Sequence, residues 1–328
     1  MLYRFVFQVF FRRLDPEFAH EFAVTGLKLL RRLGLIRAGK PVDSATLMGL
    51  EFENRLGMAA GFDKNGKLVR ELHALGFGHV EIGTVTPRPQ PGNPKPRLFR
   101  LVKNRALINR MGFNNEGATV VANRIRNLRE SGKRLPVIGI NIGKNKETAA
   151  DAAASDYEQA ASILAPVADY LVVNVSSPNT AGLRDLQQVE ALRPILTAVL
   201  GVAGNVPVLL KIAPDLADQD IEAVTKLAIE LDLAGLVATN TTISRDGLID
   251  EPNTEQLGGL SGPVLMGRSV QVLKIVRELL PREKMLISVG GVSTKSDYQE
   301  RLDFGADLVQ GYTGFVYAGP AWAKQLTS

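Results

Sequence analysis

Eight short, β-rich runs recur along this chain, and stretches with helical periodicity separate them. Most of the runs are apolar over four or more residues without polar alternation, which is typical of parallel strands buried on both faces. Helical stretches fall between them, for example at residues 156–167, 218–231 and 264–280. The runs occupy residues 57–60, 79–85, 137–143, 170–176, 208–213, 235–240, 285–290 and 308–313.

Eight consecutive strand–helix units predict an α/β fold, a closed (β/α)8 TIM barrel that we assign to residues 41–328. An open, doubly wound sheet is the alternative, but the GxGxxG fingerprint that usually follows its first strand is absent. A short hairpin is expected around residues 46–56. The proline-rich segment 87–96 breaks the rhythm, and the β-rich runs 97–101 and 106–109 after it predict a second hairpin over the barrel top.

The first 40 residues predict an N-terminal extension of two helices, called the foot below. Residues 1–11 are apolar except for Arg4 and Gln8, which would share one helical face. This run is too short to cross a bilayer, which takes roughly 20 apolar residues.

A second helix is predicted to begin at Asp15-Pro16, because Asp is a good N-cap and Pro suits the first helical position. It should run to about Leu33, with Gly34 as its stop. An apolar face and a basic end are expected from Phe18, Phe22, Leu29 and Leu33 and from Lys28, Arg31 and Arg32.

The foot holds eight basic and three acidic residues, which accounts for the whole net charge of +5. Such a local excess favours an anionic surface and not general nucleic-acid binding. Two short helices that are apolar on one side and basic at the edges fit a surface-bound membrane anchor. A helical hairpin packed on the barrel is the alternative. Without a spanning segment or transit peptide, we expect a peripheral membrane protein on the cytoplasmic face of a bacterial inner membrane.

Cysteine is absent, which excludes disulfides, thiolate metal sites and cysteine nucleophiles. Only three histidines occur, His20, His73 and His79, and there is no HExxH motif. We therefore expect no metal site.

Polar residues are unusually frequent at the C-terminal ends of the predicted strands, where barrels carry their active sites. Lys211 lies within the apolar run 208–213. Because burying an unpaired ammonium is costly, Lys211 needs an anionic or electron-rich partner, or else forms a structural salt bridge. Other candidates at strand ends are Asp63, Lys64, Asn141, Asn174, Ser176, Ser177, Asn179, Thr239, Asn240, Thr241 and Thr242.

Glycines follow the last two strands, at Gly290-Gly291 and around Tyr312-Thr313. Barrels commonly bind phosphate there through backbone N–H groups, although tight turns also need glycine. The place of these glycines after the last two strands predicts a phosphorylated ligand. Four asparagines near strand tops offer donors and acceptors to a planar polar ligand, although any one of them suits a turn: Asn109, Asn174, Asn179 and Asn240.

Five long motifs, in order over nearly the whole chain, closely resemble the dihydroorotate dehydrogenase family. They are AAGFDK at 59–64, NRMGFNN at 109–115, NVSSPNT at 174–180, KIAPD at 211–215 and GGLSG at 258–262. The foot resembles the extension of the class 2 (quinone-dependent) enzymes. That class uses a serine as catalytic base where the soluble class uses cysteine, and Ser177 stands at this position.

The resemblance implies oxidation of dihydroorotate to orotate during pyrimidine biosynthesis, with one non-covalent FMN as hydride acceptor. Lys211 would face the N1/O2 edge of the flavin and stabilise the negative charge that develops on reduction. The phosphate would lie at Gly262, Gly291, Tyr312 and Thr313. The ring would lie near Ala60, Gly61, Lys64, Thr84, Asn141, Asn174 and Thr239.

By the same resemblance, Lys64 pairs with the dihydroorotate carboxylate, and Ser177 takes the C5 proton while hydride leaves C6. Serine is a weak base and needs a relay, for which Thr180 is one candidate. The remaining substrate contacts are expected from Asn109, Arg110, Met111, Gly112, Phe113, Asn174, Asn179, Asn240 and Thr241.

The resemblance also implies a membrane quinone as the final electron acceptor, bound by His20, Arg100 and Tyr312, and a monomeric protein. Three rivals are weighed against it. Another FMN barrel oxidoreductase, such as a 2-hydroxy-acid oxidase, would need a histidine base at the strand tops. A Schiff-base aldolase would use Lys211 without flavin, and a membrane-tethered binding protein would show no turnover.

Overall fold

The computed structural model describes residues 3, 7, 9, 11–180 and 182–328 of the chain. Most of the predicted first helix, including Arg4 and Gln8, lies outside the described residues; Tyr3, Phe7 and Val9 are helical. A short 3-10 turn at Phe11–Arg13 follows.

Eight parallel strands close into a barrel, which confirms the predicted fold class and excludes the open sheet. Strand β3 (Leu56–Met58) pairs with β4 (His79–Val85) on one side and with the last strand on the other. Each strand is buried on both faces, as the apolar runs predicted. The other six are β7 (Val137–Ile142), β8 (Tyr170–Asn174), β9 (Val208–Ile212), β10 (Gly235–Ala238), β12 (Met285–Val289) and β13 (Leu308–Gly311).

Seven of the eight barrel strands end earlier than the apolar runs predicted, and β4 ends at Val85 as predicted. Strand β10 ends at Ala238, so Thr239 and Asn240 leave the ladder, and β13 ends at Gly311, ahead of Tyr312. These residues line a cavity, although the amides of Thr239 and Asn240 still donate to the carbonyls of Val289 and Ile212.

Ten helices are described, and all but the first and last follow barrel strands or their loops. The three predicted helical stretches are confirmed, although two begin or end in a 3-10 turn. The helices are α1 (Pro16–Arg32), α2 (Val69–Leu75), α3 (Ala118–Glu130), α4 (Ala153–Leu164), α5 (Val189–Ala203), α6 (Asp218–Glu230), α7 (Met266–Leu279), α8 (Lys295–Asp303), α9 (Thr313–Ala318) and α10 (Trp322–Thr327).

Two small antiparallel sheets cover the ends of the barrel. Strands β1 (Ala45–Leu47) and β2 (Leu50–Phe52) form the first predicted hairpin, which is shorter than expected because Leu56 already belongs to the barrel. Phe52 packs with the side chains that fill the barrel interior. Strands β5 (Leu98–Leu101) and β6 (Ala106–Asn109) form the second hairpin, and β11 (Gly259–Ser261) adds a third strand.

Helix α1 begins and ends where the sequence predicted. The Asp15 carboxylate accepts hydrogen bonds from the amides of Glu17 and Phe18, and Gly34 adopts a left-handed conformation after the helix. The helix buries Ala19 and Leu27 against the barrel. Its outer side chains stay exposed: Phe18 56%, Phe22 53%, Leu29 56% and Leu33 63%.

Polar contacts attach α1 and the segment just before it to the rest of the chain. Glu17 pairs with the buried Arg97 at 2.6 Å, and Arg31 pairs with Glu71 on α2 at the same distance. Arg100 donates to the carbonyl of Leu14. One face of α1 thus packs on the barrel, as the alternative predicted, and the other face remains exposed. The membrane role of the foot stays a prediction. Among the described helices, none combines the length and the apolar character that a membrane span requires.

Candidate active site

One cavity, called the mouth cavity below, opens at the C-terminal ends of the barrel strands. It brings together almost every residue that the sequence predicted for substrate or cofactor. The predicted residues that line it are Ala60, Gly61, Lys64, Thr84, Asn109, Met111, Gly112, Phe113, Asn174, Ser177, Asn179, Lys211, Thr239, Asn240, Thr241, Gly262, Gly291, Tyr312 and Thr313.

Two predicted contact residues do not line the mouth cavity. The Arg110 guanidinium donates to the carbonyl of Pro96 and to Gln256, and it lies over the ring of Phe99. Asn141 is fully buried behind Thr84, whose hydroxyl donates to the Asn141 amide oxygen at 2.5 Å. Both therefore support the wall from behind.

An ionic group forms the floor of the mouth cavity inside the barrel. The Lys211 ammonium lies 3.5 Å from the carboxylate of Glu81, and both side chains are buried. Asn141 and Gln310 each donate to Glu81 at 2.8 Å. The buried salt bridge considered for Lys211 is therefore present, and the lysine still faces the cavity. This fixed cation is suited to stabilise a ligand that gains negative charge.

Asparagines form one wall of the mouth cavity. Asn179 donates to Asn109 at 3.0 Å, and Asn240 donates to Asn174 at 3.3 Å and to the Ser176 hydroxyl at 3.0 Å. The Oδ1 atom of Asn179 is buried and has no hydrogen-bond partner among the described residues. An unpaired buried acceptor is costly. It fits a ligand that brings its own N–H donors, such as a cyclic amide.

Ser177 lies in the loop that follows β8, beside this wall. Its hydroxyl oxygen accepts a hydrogen bond from the backbone amide of Asn179 at 3.2 Å. The hydroxyl proton remains available for another acceptor. Thr180 is buried three residues further on, but no hydrogen bond joins it to Ser177 in the described part of the chain. Its relay role stays a prediction.

Lys64 points into the mouth cavity from the loop after β3. The Asn114 side chain accepts a hydrogen bond from its ammonium at 2.5 Å, and the Gly112 carbonyl accepts another at 3.5 Å. Burial, and then the nearby charge of Arg97, lower the pKa of Lys64 to about 7. An anionic ligand would favour the charged form, so this lysine is a candidate carboxylate partner.

A glycine-lined cup lies at the far side of the mouth cavity. Gly291 has a φ of +82°, and a Cβ there would lie 2.6 Å from the Cα of Met266. Gly262 has a φ of +122°, and a Cβ would lie 2.8 Å from the Cα of Ala106. Only glycine allows this approach. The hydroxyls of Ser261 and Thr313 lie 2.8 Å apart beside these glycines, which suits an anion with several acceptor oxygens.

A second cavity of about 260 Å³, called the apolar chamber below, lies between α1 and the barrel. It shares Leu98, Leu107 and Tyr312 with the wall of the mouth cavity. His20 and Arg100, both predicted for the quinone, line it. Burial, followed by the charge of Lys64, lowers the pKa of His20, so its ring is neutral near pH 7.

The other histidines lie away from both cavities. His73 is in α2, and His79 begins β4 at the N-terminal end of the barrel. Burial lowers the pKa of His79 to about 3. Within the residues that the structure describes, no three His, Asp or Glu side chains group closely enough to hold a metal ion.

Comparison with known proteins agrees with this geometry. The family model described as dihydroorotate dehydrogenase matches residues 43–328. The chain belongs to the dihydroorotate dehydrogenase family. It is 54% identical over 335 residues to a protein of Leifsonia xyli subsp. xyli named dihydroorotate dehydrogenase (quinone), covering 99% of this chain and 97% of that one. A protein of the same name from Thermobifida fusca is 51% identical over 344 residues, covering 99% and 91%.

Solved structures of the dihydroorotate dehydrogenase family share the fold. The enzyme of Eimeria tenella in complex with ferulenol superposes with a TM-score of 0.88 at 36% identity, covering 95% of this chain and 90% of that chain. Its ligand-free form gives a TM-score of 0.87 at 37% identity, covering 95% and 93%.

Sequence reasoning missed three residues of this dihydroorotate dehydrogenase site. Glu81 is a carboxylate within an apolar strand run, the same signal that singled out Lys211. Gln310 is likewise a polar residue within the last apolar run. It lines the mouth cavity and donates a hydrogen bond to Glu81. Ser261 belongs to the GGLSG motif and lines the glycine cup.

Proposed function

We propose that this protein oxidises dihydroorotate to orotate, the redox step of pyrimidine biosynthesis, with FMN in the mouth cavity and a membrane quinone as final electron acceptor. The observation that carries this proposal is the shared wall between two different cavities. One cavity is lined in part by asparagines, two lysines and two serines; the other is apolar and lies under the foot. An enzyme that transfers electrons from a water-soluble donor to a lipid-soluble acceptor needs this pairing of a polar and a lipid-accessible site.

FMN fits the mouth cavity. The glycine cup at Gly262 and Gly291 suits its phosphate, and Lys211 provides a cation at the cavity floor. One non-covalent FMN per chain would accept the hydride of the substrate and pass its electrons to the quinone. The ring would lie along Ala60, Gly61, Thr84 and Thr239, with Asn141 supporting Thr84 and Asn174 from behind.

The asparagine wall would hold dihydroorotate by its ring amides, with the unpaired Oδ1 of Asn179 accepting from a ring N–H. Lys64 would pair with the carboxylate at the other end of the ligand. Met111, Gly112 and Phe113 would close the cavity over it and exclude water. These contacts would fix the orientation of the dihydroorotate ring, and its ring amides would contact only uncharged side chains.

Ser177 would take the proton from C5 of the substrate. Its oxygen already accepts the Asn179 amide N–H, which helps to stabilise negative charge on that oxygen. No histidine lines the mouth cavity within the described residues, so a histidine-based oxidase of 2-hydroxy acids is disfavoured. A yellow, flavin-loaded preparation would exclude the Schiff-base aldolase.

The quinone would enter through the apolar chamber and reach Tyr312 in the shared wall, with His20 and Arg100 near its oxygens. The exposed apolar stripe of α1 would lie on the lipid bilayer, which makes the protein a peripheral membrane protein. We further propose a monomer at the cytoplasmic face of the bacterial inner membrane.

Steady-state assays of orotate formation test this function. With dihydroorotate as donor, we expect turnover with a short-chain quinone analogue and none with NAD⁺. Turnover with NAD⁺ alone would overturn the quinone assignment, and the absence of orotate with every acceptor would overturn the dehydrogenase assignment.

A further inference from the structure

A basic groove of about 380 Å³ lies between the end of α1 and helices α2 and α3, outside both cavities described above. Six cationic side chains line it, with Glu71 as the carboxylate of the wall. The groove is not part of the flavin, substrate or quinone sites. Its cationic residues are Lys28, Arg31, Arg32, Lys67, Arg70 and Arg124.

Among the described residues, only three of these six cations pair with a carboxylate, and they share two carboxylates between them. Arg31 pairs with Glu71 at 2.6 Å, while Lys67 and Arg124 both pair with Glu116. The groove therefore keeps a net positive charge, and like charges held this close repel one another.

Three of the six cations could form a further ion pair or hydrogen bond. The side chains of Lys28 and Arg32 form no ion pair or hydrogen bond with another described residue, and Lys28 is half-buried. Arg70 donates to the hydroxyl of Ser131, but its Nε is buried and has no hydrogen-bond partner among the described residues. An unsatisfied guanidinium N–H is costly, so this group points to a missing acceptor.

The groove lies at the edge of the exposed apolar stripe of α1. Lys28 and Arg32 directly precede Leu29 and Leu33 in the chain, so they flank the stripe on the helix surface. When an amphipathic helix lies in a bilayer interface, residues on that flank are at the level of the lipid headgroups. The apolar chamber lies on the opposite flank, lined by Ala23 and Leu30.

We propose that the basic groove binds the phosphate of an anionic phospholipid headgroup. A phosphate offers several acceptor oxygens, which suit guanidinium groups better than a halide or a single carbonyl. It would supply the acceptor that the buried Arg70 Nε lacks and offset the repulsion among the cations. The bound headgroup would hold α1 in the orientation that presents the apolar chamber to the lipid. The choice of a lipid as the source of the phosphate rests on the proposed membrane association.

Vesicle binding of the full-length protein tests the groove. The variant Lys28→Gln/Arg32→Gln removes two unpaired cations and leaves the ion pairs intact. Because each basic residue near an anionic surface contributes roughly a fivefold gain in binding, we expect about 25-fold weaker binding to vesicles that contain phosphatidylglycerol. Binding to pure phosphatidylcholine vesicles and turnover with a soluble quinone analogue should not change.

The matched control is Arg193→Gln/Lys226→Gln, which removes the same charge from α5 and α6 on the opposite side of the barrel. It should bind phosphatidylglycerol vesicles like the wild type if the groove, and not the net charge, is responsible. Equal losses in both double variants would overturn the headgroup site and leave only a diffuse electrostatic attraction.

Other outcomes separate this proposal from the proposed function. If wild type and groove variant bind phosphatidylglycerol vesicles equally, the headgroup site is wrong and membrane association stands. If the wild type binds neither type of vesicle, both the proposed membrane association and the headgroup site are overturned. If inorganic phosphate raises the melting temperature of the wild type but not of the groove variant, and vesicles do not compete with it, the groove serves a free anion and the lipid proposal is overturned.

Discussion

The ammonium of Lys211 lies 3.5 Å from the carboxylate of Glu81, and the two side chains are buried together under the floor of the mouth cavity. The pair joins β9 to β4 across the barrel interior. Because the cation is fixed before any ligand binds, it needs little reorganisation when negative charge develops above it.

Breaking this pair should affect stability and redox chemistry differently. Lys211→Met leaves an unpaired buried carboxylate and should lower the free energy of unfolding by about 3–5 kcal/mol. It should also make the flavin reduction potential more negative by on the order of 30–60 mV, since the cation that stabilises the reduced form is lost.

The double variant Glu81→Gln/Lys211→Met separates the two effects. Without either charge, the free energy of unfolding should recover much of its loss. The reduction potential should recover only in part, because the carboxylate that opposes reduction is gone but the stabilising cation is still missing. Denaturant titration and potentiometry give the two readouts. A reduction potential that is unchanged in Lys211→Met would mean that Lys211 acts on folding alone.

Lys64 should make ligand binding depend on pH. Its pKa is lowered to about 7 in the free protein, and only the ammonium form pairs with a carboxylate. As the pH rises through 7 the ammonium is lost, so the dissociation constant of orotate should rise about tenfold per pH unit above that point. Below pH 7 it should be constant.

Calorimetric titrations of orotate across this range give the measurement. Lys64→Met should bind orotate weakly at every pH, with no inflection near 7. The control Lys67→Met, at an exposed position nearby, should keep the inflection. An unchanged pH profile in Lys64→Met would remove this lysine from the carboxylate site.

The glycine cup gives a test of cofactor binding that does not depend on turnover. In Gly291→Ala the new methyl group would lie 2.6 Å from the backbone of Met266, at a φ of +82°. We expect a purified variant with little or no bound flavin, measured by its visible absorbance. Gly201→Ala on α5, where a Cβ meets nothing within 4 Å, should retain the flavin. Full flavin loading of Gly291→Ala would place the phosphate elsewhere.

The apolar chamber should admit quinone and not dihydroorotate. Gly26 lines it from α1, and a Cβ there meets no atom within 4 Å, so Gly26→Phe should fold while reducing the chamber volume. We expect at least a tenfold loss of kcat/KM for a long-chain quinone analogue. Flavin reduction by dihydroorotate should be unchanged, and Gly26→Ala should resemble the wild type. Unaffected quinone kinetics in Gly26→Phe would refute this entry route.

Much of this architecture was predictable from the sequence because parallel strands leave an apolar signal that does not depend on distant residues. All eight strands and the polar residues at their ends were found in this way. The family motifs then suggested the roles that we propose for residues such as Ser177 and Asn179, which strand periodicity does not indicate.

Contacts between distant segments were not predictable. Nothing in the sequence indicates that Glu81 pairs with Lys211, that Glu17 of the foot holds Arg97, or that Asn141 stands behind the cavity wall. These relations depend on how strands and helices pack in three dimensions. Arg110 shows the same limit, since its place within a family motif did not indicate that its side chain points away from the mouth cavity.

The most direct measurement is an anaerobic, two-step absorbance experiment on the flavin-loaded protein. Dihydroorotate should bleach the flavin absorbance, and a soluble quinone analogue added afterwards should restore it. Ser177→Ala should slow the bleaching by several orders of magnitude without affecting the recovery of chemically reduced flavin by quinone. Bleaching without recovery would contradict the quinone assignment, and a flavin-loaded protein that dihydroorotate does not bleach would contradict the proposed reaction itself.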